Sequence, residues 1–530
     1  MSVAATETPP SSQRPNTSIS SRWPALDIAM LIVVLLFAAW LRHAAMDRSL
    51  TYDELWHLGL STGRGSPIGQ IEPDRVYLDP PRQTLLDGAP PFYRIWTHMD
   101  GVLHPPLYVV TLRMWRDVFG GSDTVAQAYS IAWSLVALGF VFASVRLATD
   151  RYAAFIVTLA MAVAPTQIYF ATAVRGYEML LGLSAVAVWL MLRIECLRPT
   201  RRRALCLAAL TLPLLLTHYF AIGAAAAIIA FGFSRAIGHR AAFAFSLAVS
   251  AMVYAIIWLP FALRQIDDIG SGDAFLKVAH VNAFYESITL LAVPGRLIVD
   301  APTATYFSIA GAAGAVLLVA GILASFRGRP RAAIPLTLWL IGTIGFIALL
   351  DFTRSTRHSL YIRYFAVATP AVFVLVAVLG HAMHRRFGIV AGGLLLIIAI
   401  AVPKPADGVM NDSPDHSMIA RTLSHVSEPS EAVLIYNAIG PTDFGDSVFI
   451  HCSHEPGFFP RPMMKLTSPL SPDAAAALPR RAWLVVPKVV PMVDASDVAK
   501  MFPGARVLGS EEVPLQAMLF HLDLRPGTSP

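Results

Sequence analysis

Ala204-Leu-Cys-Leu-Ala-Ala-Leu-Thr-Leu-Pro-Leu-Leu-Leu-Thr-His-Tyr-Phe-Ala-Ile-Gly-Ala-Ala-Ala-Ala-Ile-Ile-Ala-Phe-Gly-Phe-Ser234 contains no Asp, Glu, Lys or Arg, yet basic clusters stand at both of its ends. A single helix of this length would run roughly 46 Å at 1.5 Å per residue. A bilayer core of about 30 Å cannot hold it straight. Two short spans, turning at Thr217-His218-Tyr219-Phe220, fit better and put both basic ends on one side of the membrane.

The same pattern repeats outward. The clusters Arg146/Arg151, Arg198/Arg201/Arg202/Arg203, Arg235/Arg240, Arg327/Arg329/Arg331 and Arg385/Arg386 are separated by sequence able to make two crossings, so each can be cytoplasmic. The scheme has about eleven spans, near 24–41, 124–145, 152–173, 176–194, 204–217, 219–234, 241–263, 303–326, 332–350, 362–380 and 387–403. An odd count with a cytoplasmic N-terminus places the first loop, the loops at 264–302 and 351–361, and the tail from Lys404 outside.

Composition agrees. The chain has 530 residues, 55% of them hydrophobic and 14% charged, with a mean hydropathy of +0.57. That excludes one soluble globule. The net charge of +6 reflects positive-inside clusters and not a nucleic-acid footprint. Three cysteines, Cys196, Cys206 and Cys452, offer no disulfide framework. Residues 1–22, rich in Ser, Thr and Pro, are expected to be a disordered cytoplasmic leader. Residues 23–403 form the membrane domain, its first span uncleaved. Residues 404–530 turn polar and Pro-rich and read as a small external α/β domain, with strands at 431–437, 482–487 and 515–522 and helices at 417–426 and 495–502.

Within the first loop, Thr51-Tyr52-Asp53-Glu54-Leu55-Trp56-His57-Leu58 predicts a short interfacial helix over 50–61, with Asp53 and His57 on one face. The same residues also suit a helix start, Thr51 capping and the carboxylates meeting free first-turn amides. His104-Pro105-Pro106-Leu107-Tyr108 opens a second interfacial helix to Phe119, which Arg113, Arg116 and Asp117 keep out of the bilayer core. Arg175-Gly176-Tyr177-Glu178 joins two spans, His218-Tyr219 tips the next hairpin, and Tyr361-Ile362-Arg363-Tyr364 begins another span. Five segments thus bring acid, imidazole, guanidinium and phenol to one face. Each has a plain reading as well: Pro-Pro as a helix start, Arg175 as an interfacial snorkeller, the tyrosines as an aromatic belt, His218 as a bonded structural histidine. Arg on the external side, however, has no topological reason to be there.

Tyr52-Asp53-Glu54, His104-Pro105-Pro106-Leu107-Tyr108, Arg175-x-Tyr177, His218-Tyr219 and Arg363-Tyr364, in this order, resemble the GT-C superfamily of integral-membrane glycosyltransferases that use polyprenyl-phosphate sugars. The nearest types are the bacterial relatives of protein O-mannosyltransferases and of the aminoarabinose transferase of lipid A. The resemblance spans residues 24 to about 380; the tail carries no assignable motif. It implies inverting transfer of a sugar from a polyprenyl-phosphate donor to a glycan, lipid or protein acceptor in the cell envelope, at the outer face of a bacterial inner membrane. Asp53 would be the base, with Glu54 orienting the acceptor or a neighbouring cation. Arg175 and Arg363 would clamp the phosphate, and Tyr177, His218, Tyr219 and Tyr364 would complete the donor site. His57, His104, Tyr108 and Tyr361 would meet substrate. A divalent metal ion is left open: His57, His104, His218, Glu54 and Glu178 are the available ligands, without fixed spacing. No nucleotide enters this chemistry, and no Gly-rich phosphate loop is present. A flippase or transporter of lipid-linked sugar is the rival reading, although the ionisable groups gather at external span ends and not at mid-membrane. A non-catalytic envelope polysaccharide assembly protein is the other.

Overall fold

The computed structural model describes residues 24–298, 330–383 and 416–525, apart from short internal stretches (68–69, 100–101, 103, 273–276, 437–443, 456–457, 459–460, 469, 489–495, 499–501, 503 and 515), with single positions between 319 and 397. The expected leader, nearly all of the spans at 303–326 and 387–403 and half of the helix at 495–502 lie outside the described residues.

The bundle opens with α1 (Ala25–Ala44), followed by α2 (Tyr52–Ser61), β1 (Val76–Tyr77), α3 (Arg94–Thr97) and α4 (Leu107–Phe119) in the first loop. Spans follow as α5 (Asp123–Ala148), α6 (Arg151–Val163) with α7 (Pro165–Thr172), α8 (Tyr177–Cys196), α9 (Arg201–Ala209) with α10 (Thr211–Thr217), α11 (Ala221–Arg235) and α12 (Arg240–Ile257). After α13 (Leu259–Gly272) and α14 (Ala283–Arg296) come α15 (Pro330–Arg354), a 3₁₀ run at Ile362–Ala368, and α16 (Thr369–Met383). Six of these helices are long and apolar enough to cross a membrane, seven if α6 and α7 make one bent span. The turn expected inside 204–234 is there, between α10 and α11.

Prolines set two breaks that shape the site. Ala164 takes an extended ψ of 123° before Pro165, as a pre-proline residue prefers. Pro165 then opens α7, and the span bends by 63°. The bend brings residues 173–176 back over the bundle end. Pro370 has no N–H to bond an earlier carbonyl, so residues 362–368 wind as 3₁₀ before α16 begins.

Two charge sets mark the two ends of the bundle. At one, Asp27 of α1 pairs with Arg146 and with Arg151 at 3.3 Å, and His381 approaches Asp150 at 3.6 Å. Arg146 and Arg151 are one of the basic clusters of the sequence scheme. The other end carries α2, α4 and the turns. Small residues bring the spans into contact: a Cβ on Gly223 would stand 2.3 Å from the Gly342 carbonyl, and one on Gly342 2.4 Å from that of Gly223. Any side chain there would force α11 off α15. The exposed Phe245, Val249, Met252 and Ile256 run down one side of α12 at helical spacing, as a lipid-facing stripe does.

The tail folds as α17 (Ser417–Val426), β2 (Ala432–Tyr436), α18 (Phe444–His454), β3 (Met463–Leu466), α19 (Pro472–Ala477), β4 (Arg481–Pro487), β5 (Arg506–Val513) and β6 (Ala517–Asp523). Its six-stranded sheet has the order β1-β3-β2-β4-β6-β5. The central β3, β2 and β4 are parallel, and β6 and β5 add antiparallel. Alternate residues of β2 serve two cores: Val433 and Ile435 pack towards α17 and α18, Ala432 and Leu434 towards the other face. The edge strand β1 comes from the first loop and pairs Val76 with Met464 and Tyr77 with Met463. The tail is therefore joined through its sheet to the loop that holds Asp53.

Candidate active site

The first turn of α2 divides its two carboxylates between different tasks. Glu54 Oε2 accepts from the Thr51 amide at 2.9 Å and the Thr51 hydroxyl at 3.0 Å, which closes a capping box. Arg48 grips both of its oxygens, Nη1 to Oε2 at 2.8 Å and Nη2 to Oε1 at 2.5 Å. The Val174 amide also donates to Oε1 at 2.8 Å, and Arg48 Nη2 reaches the Thr172 carbonyl at 3.1 Å. Burial alone would raise the Glu54 pKa; Arg48 and these amides outweigh it and hold the group below its ordinary value. Glu54 is thus a buried staple between α2 and the turn after α7. Its ion-pair partner is Arg48.

Asp53 lies about 100° further round the helix and faces Arg175, which the same stapled turn presents. Their ion pair keeps 29% of the Asp53 side chain and 10% of Arg175 exposed. The acid is open to an incoming group, while the guanidinium sits at the wall over the Tyr177 ring, 5.1 Å from its centroid. The far end of α2 is equally fixed. Arg116 donates to the Leu58 and Thr84 carbonyls and to Ser61 Oγ at 2.6 Å, and Arg113 to the Ser61 and Thr62 carbonyls. Cations at a helix C-terminus satisfy its free carbonyls and its dipole. The charges that mark α4 as interfacial therefore also cap α2.

Beside this pair opens a narrow cleft, lined by His57, His104, Tyr108, Arg175, Tyr177 and His218 among others. Three imidazoles run across it, His57 to His104 and His104 to His218 each 5.3 Å between ring centroids. His57 Nδ1 donates to the Asp53 carbonyl at 2.7 Å, leaving Nε2 as an acceptor. Burial pushes the His57 pKa down to about 4, and burial together with His57, His218 and Arg363 pushes that of His104 well below the usual histidine value. Both are neutral at pH 7. His218 Nδ1 accepts the Phe220 amide at 3.2 Å, so the proton of its neutral ring is on Nε2, which is buried without a partner.

The 3₁₀ run lies beyond the cleft lining. Arg363 lies over Tyr361 at 4.9 Å and Tyr364 at 5.4 Å. Tyr364 packs on Phe220, 4.4 Å between centroids, which joins this run to the His218 turn. Tyr219 does not join: its hydroxyl donates to Gln265 Oε1 at 2.5 Å and accepts from Trp258 Nε1 at 3.2 Å, holding the α12–α13 junction.

Asp351 was not among the sequence candidates. Wholly buried, it accepts from Thr356 Oγ1, the His358 and Ser359 amides and His358 Nδ1, all at 2.8 Å, and His358 meets Tyr364 at 5.6 Å. This knot fixes the loop that delivers Arg363. Its signal in the sequence was an acid at a span end followed by Ser, Thr and His. For a divalent ion the donors do not fit. Glu54 is taken up by Arg48, Glu178 is buried in α8, and among the described residues no three His, Cys, Asp or Glu converge as ligands.

No family model matches the chain, and no curated protein matches it in sequence. Among solved structures it is similar to ArnT from Cupriavidus metallidurans in the apo state, at 14% identity and a TM-score of 0.46, covering 94% of this chain and 98% of that one. It is likewise similar to the same protein bound to undecaprenyl phosphate (14% identity, TM-score 0.43, 94% and 97%). The Archaeoglobus fulgidus oligosaccharyltransferase in complex with Zn and sulfate is similar at 13% identity and a TM-score of 0.45, over 86% of this chain and 67% of that one.

Proposed function

We propose that the chain is an inverting glycosyltransferase that moves a sugar from a polyprenyl-phosphate donor to a cell-envelope acceptor at the external face of a bacterial inner membrane. The observation that carries this reading is the half-open Asp53 carboxylate paired with Arg175 at the edge of a cleft lined by three imidazoles. A base, an anion clamp and a desolvated wall are what direct displacement at a glycosyl phosphate requires.

In the free protein Arg175 neutralises Asp53. A donor phosphate brings the competing charge, draws Arg175 through bidentate charge-assisted hydrogen bonds, and frees the carboxylate. Asp53 then takes the proton of the acceptor hydroxyl as its oxygen bonds to the anomeric carbon. The bond from that carbon to the phosphate oxygen breaks on the opposite face, and the electron pair leaves with the phosphate. Arg175, Arg363 and the Nε2–H of His218 hold the charge that develops there. Tyr177 and Tyr364 offer ring faces to the sugar. The lipid tail lies between spans and needs no aqueous pocket.

Purified protein incubated with radiolabelled polyprenyl-phosphate sugars and cell-envelope fractions tests the proposal. Label should move to a glycan, lipid or protein fraction. Donor bound but never transferred, or carried across a liposome bilayer without product, would overturn it in favour of a flippase.

A further inference from the structure

The C-terminal domain touches the bundle at one telling place. α18 packs on α2, and His451, only 3% exposed, sets Nε2 at 3.2 Å from the carbonyl of Leu50 and Nδ1 at 2.6 Å from that of Ser447, one turn back in its own helix. The ring thus bridges its own helix and the segment that leads into α2. Arg421 of α17 donates to Ser49 Oγ at 2.8 Å. His454 bridges the Thr84 hydroxyl and the Asp123 carboxylate, each at 2.9 Å. Ser49 and Leu50 lie between Arg48, which holds Glu54, and Thr51, which caps α2. Further along the loop, Thr467 binds Asp74 through its amide and hydroxyl, beside the β1–β3 pairing.

We infer that the C-terminal domain positions the helix that carries Asp53, with His451 as the positioning residue. The segment from 48 to 51 fixes how far α2 leans towards the turn at 173–176, and thereby whether Asp53 meets Arg175. Arg48 and Glu54 hold that segment from the bundle side; His451 and Arg421 hold it from the domain side. A displacement of about 1 Å at a reacting group is enough to cost roughly a hundredfold in rate. Among the described residues none of the domain lines the cleft, so its effect on transfer passes through α2. The inference rests on the reading of Asp53 as the base.

Two substitutions separate the two ring nitrogens. His451→Asn places an amide nitrogen near Nδ1, keeping the Ser447 bond and losing the one to Leu50. His451→Gln places it near Nε2 and keeps the Leu50 bond. In full-length protein in nanodiscs, hydrogen exchange of the amides at 51–58 should quicken about fivefold in H451N, the size of one lost hydrogen bond, and recover in H451Q. Single-turnover transfer should follow, falling about tenfold or more in H451N with the donor KM within twofold, and recovering in H451Q. Unchanged exchange at 51–58 in H451N would overturn the inference. Equal damage in both variants, in exchange throughout the C-terminal sheet, would overturn it too, in favour of a fold role for His451. If the wild type shows no transfer while exchange behaves as stated, the assignment of the reaction fails and the clamp on α2 stands.

Discussion

Glu54→Gln is expected to unmake the fold around the site more than its chemistry. Every partner of the carboxylate is a donor: Arg48 Nη2 and the Val174 amide on Oε1, Arg48 Nη1 with the amide and hydroxyl of Thr51 on Oε2. Whichever way a glutamine amide turns, its NH₂ confronts at least two of them. Breaking a buried pair by removing one partner costs about 3–5 kcal/mol, and with Arg48 keeping 18% of its side chain exposed the lower end, about 3 kcal/mol, is the expectation. Reversible denaturation in mixed micelles, followed by tryptophan fluorescence, measures it. Where the variant remains folded, transfer should stay within about tenfold of wild type, because Glu54 is buried with both oxygens taken up by protein donors. A loss below about 0.5 kcal/mol, or a fully folded variant as inactive as one lacking Asp53, would refute the staple.

Acid should destabilise the protein from about pH 6.5 downward. The His57 pKa is depressed from 6.5 to about 4, so the neutral ring's contribution is complete above 6.5 and is lost as pH falls through the folded value. The depressed carboxyl of Glu54 loses its contribution further into acid, and His57→Gln should flatten the upper part of the denaturation profile. Arg175→Lys keeps charge but not the planar fork, so it should lower transfer markedly and fail to rescue Arg175→Ala; near-normal rates in both would make Arg175 a snorkelling residue. A Cys at Gln70, with native cysteines removed, should react with an impermeant thiol reagent in intact spheroplasts while one at Arg202 should not. Equal labelling would refute the charge-based topology and the site built on it.

Much of the bundle was legible because lipid imposes simple rules. A stretch without charge must cross, and a cluster of arginines must not, so the sequence of 204–234 alone is enough to split it at His218. The interfacial helices were legible from charges misplaced for a span. What escaped needed contacts distant in sequence. β1 is two residues long and becomes a strand only by pairing with β3, and no local pattern announces that. The opposite tasks of Asp53 and Glu54 depend on Arg48 and Arg175 arriving from either side, and adjacency in sequence hides it. Tyr219 follows His218 in a turn, where one residue of rotation decides between cleft and junction. Asp351 reads as a span-end acid until the loop folds its amides back.

Single-turnover transfer from a labelled polyprenyl-phosphate sugar by Asp53→Asn, with donor binding measured on the same preparation, tests the central claim most directly. Asparagine keeps the shape of aspartate at this position, but its amide takes no proton from an acceptor hydroxyl at neutral pH. Transfer should fall by about 10² to 10⁴, the usual contribution of a general base, with insertion and donor binding retained. Transfer at the wild-type rate would contradict the mechanism.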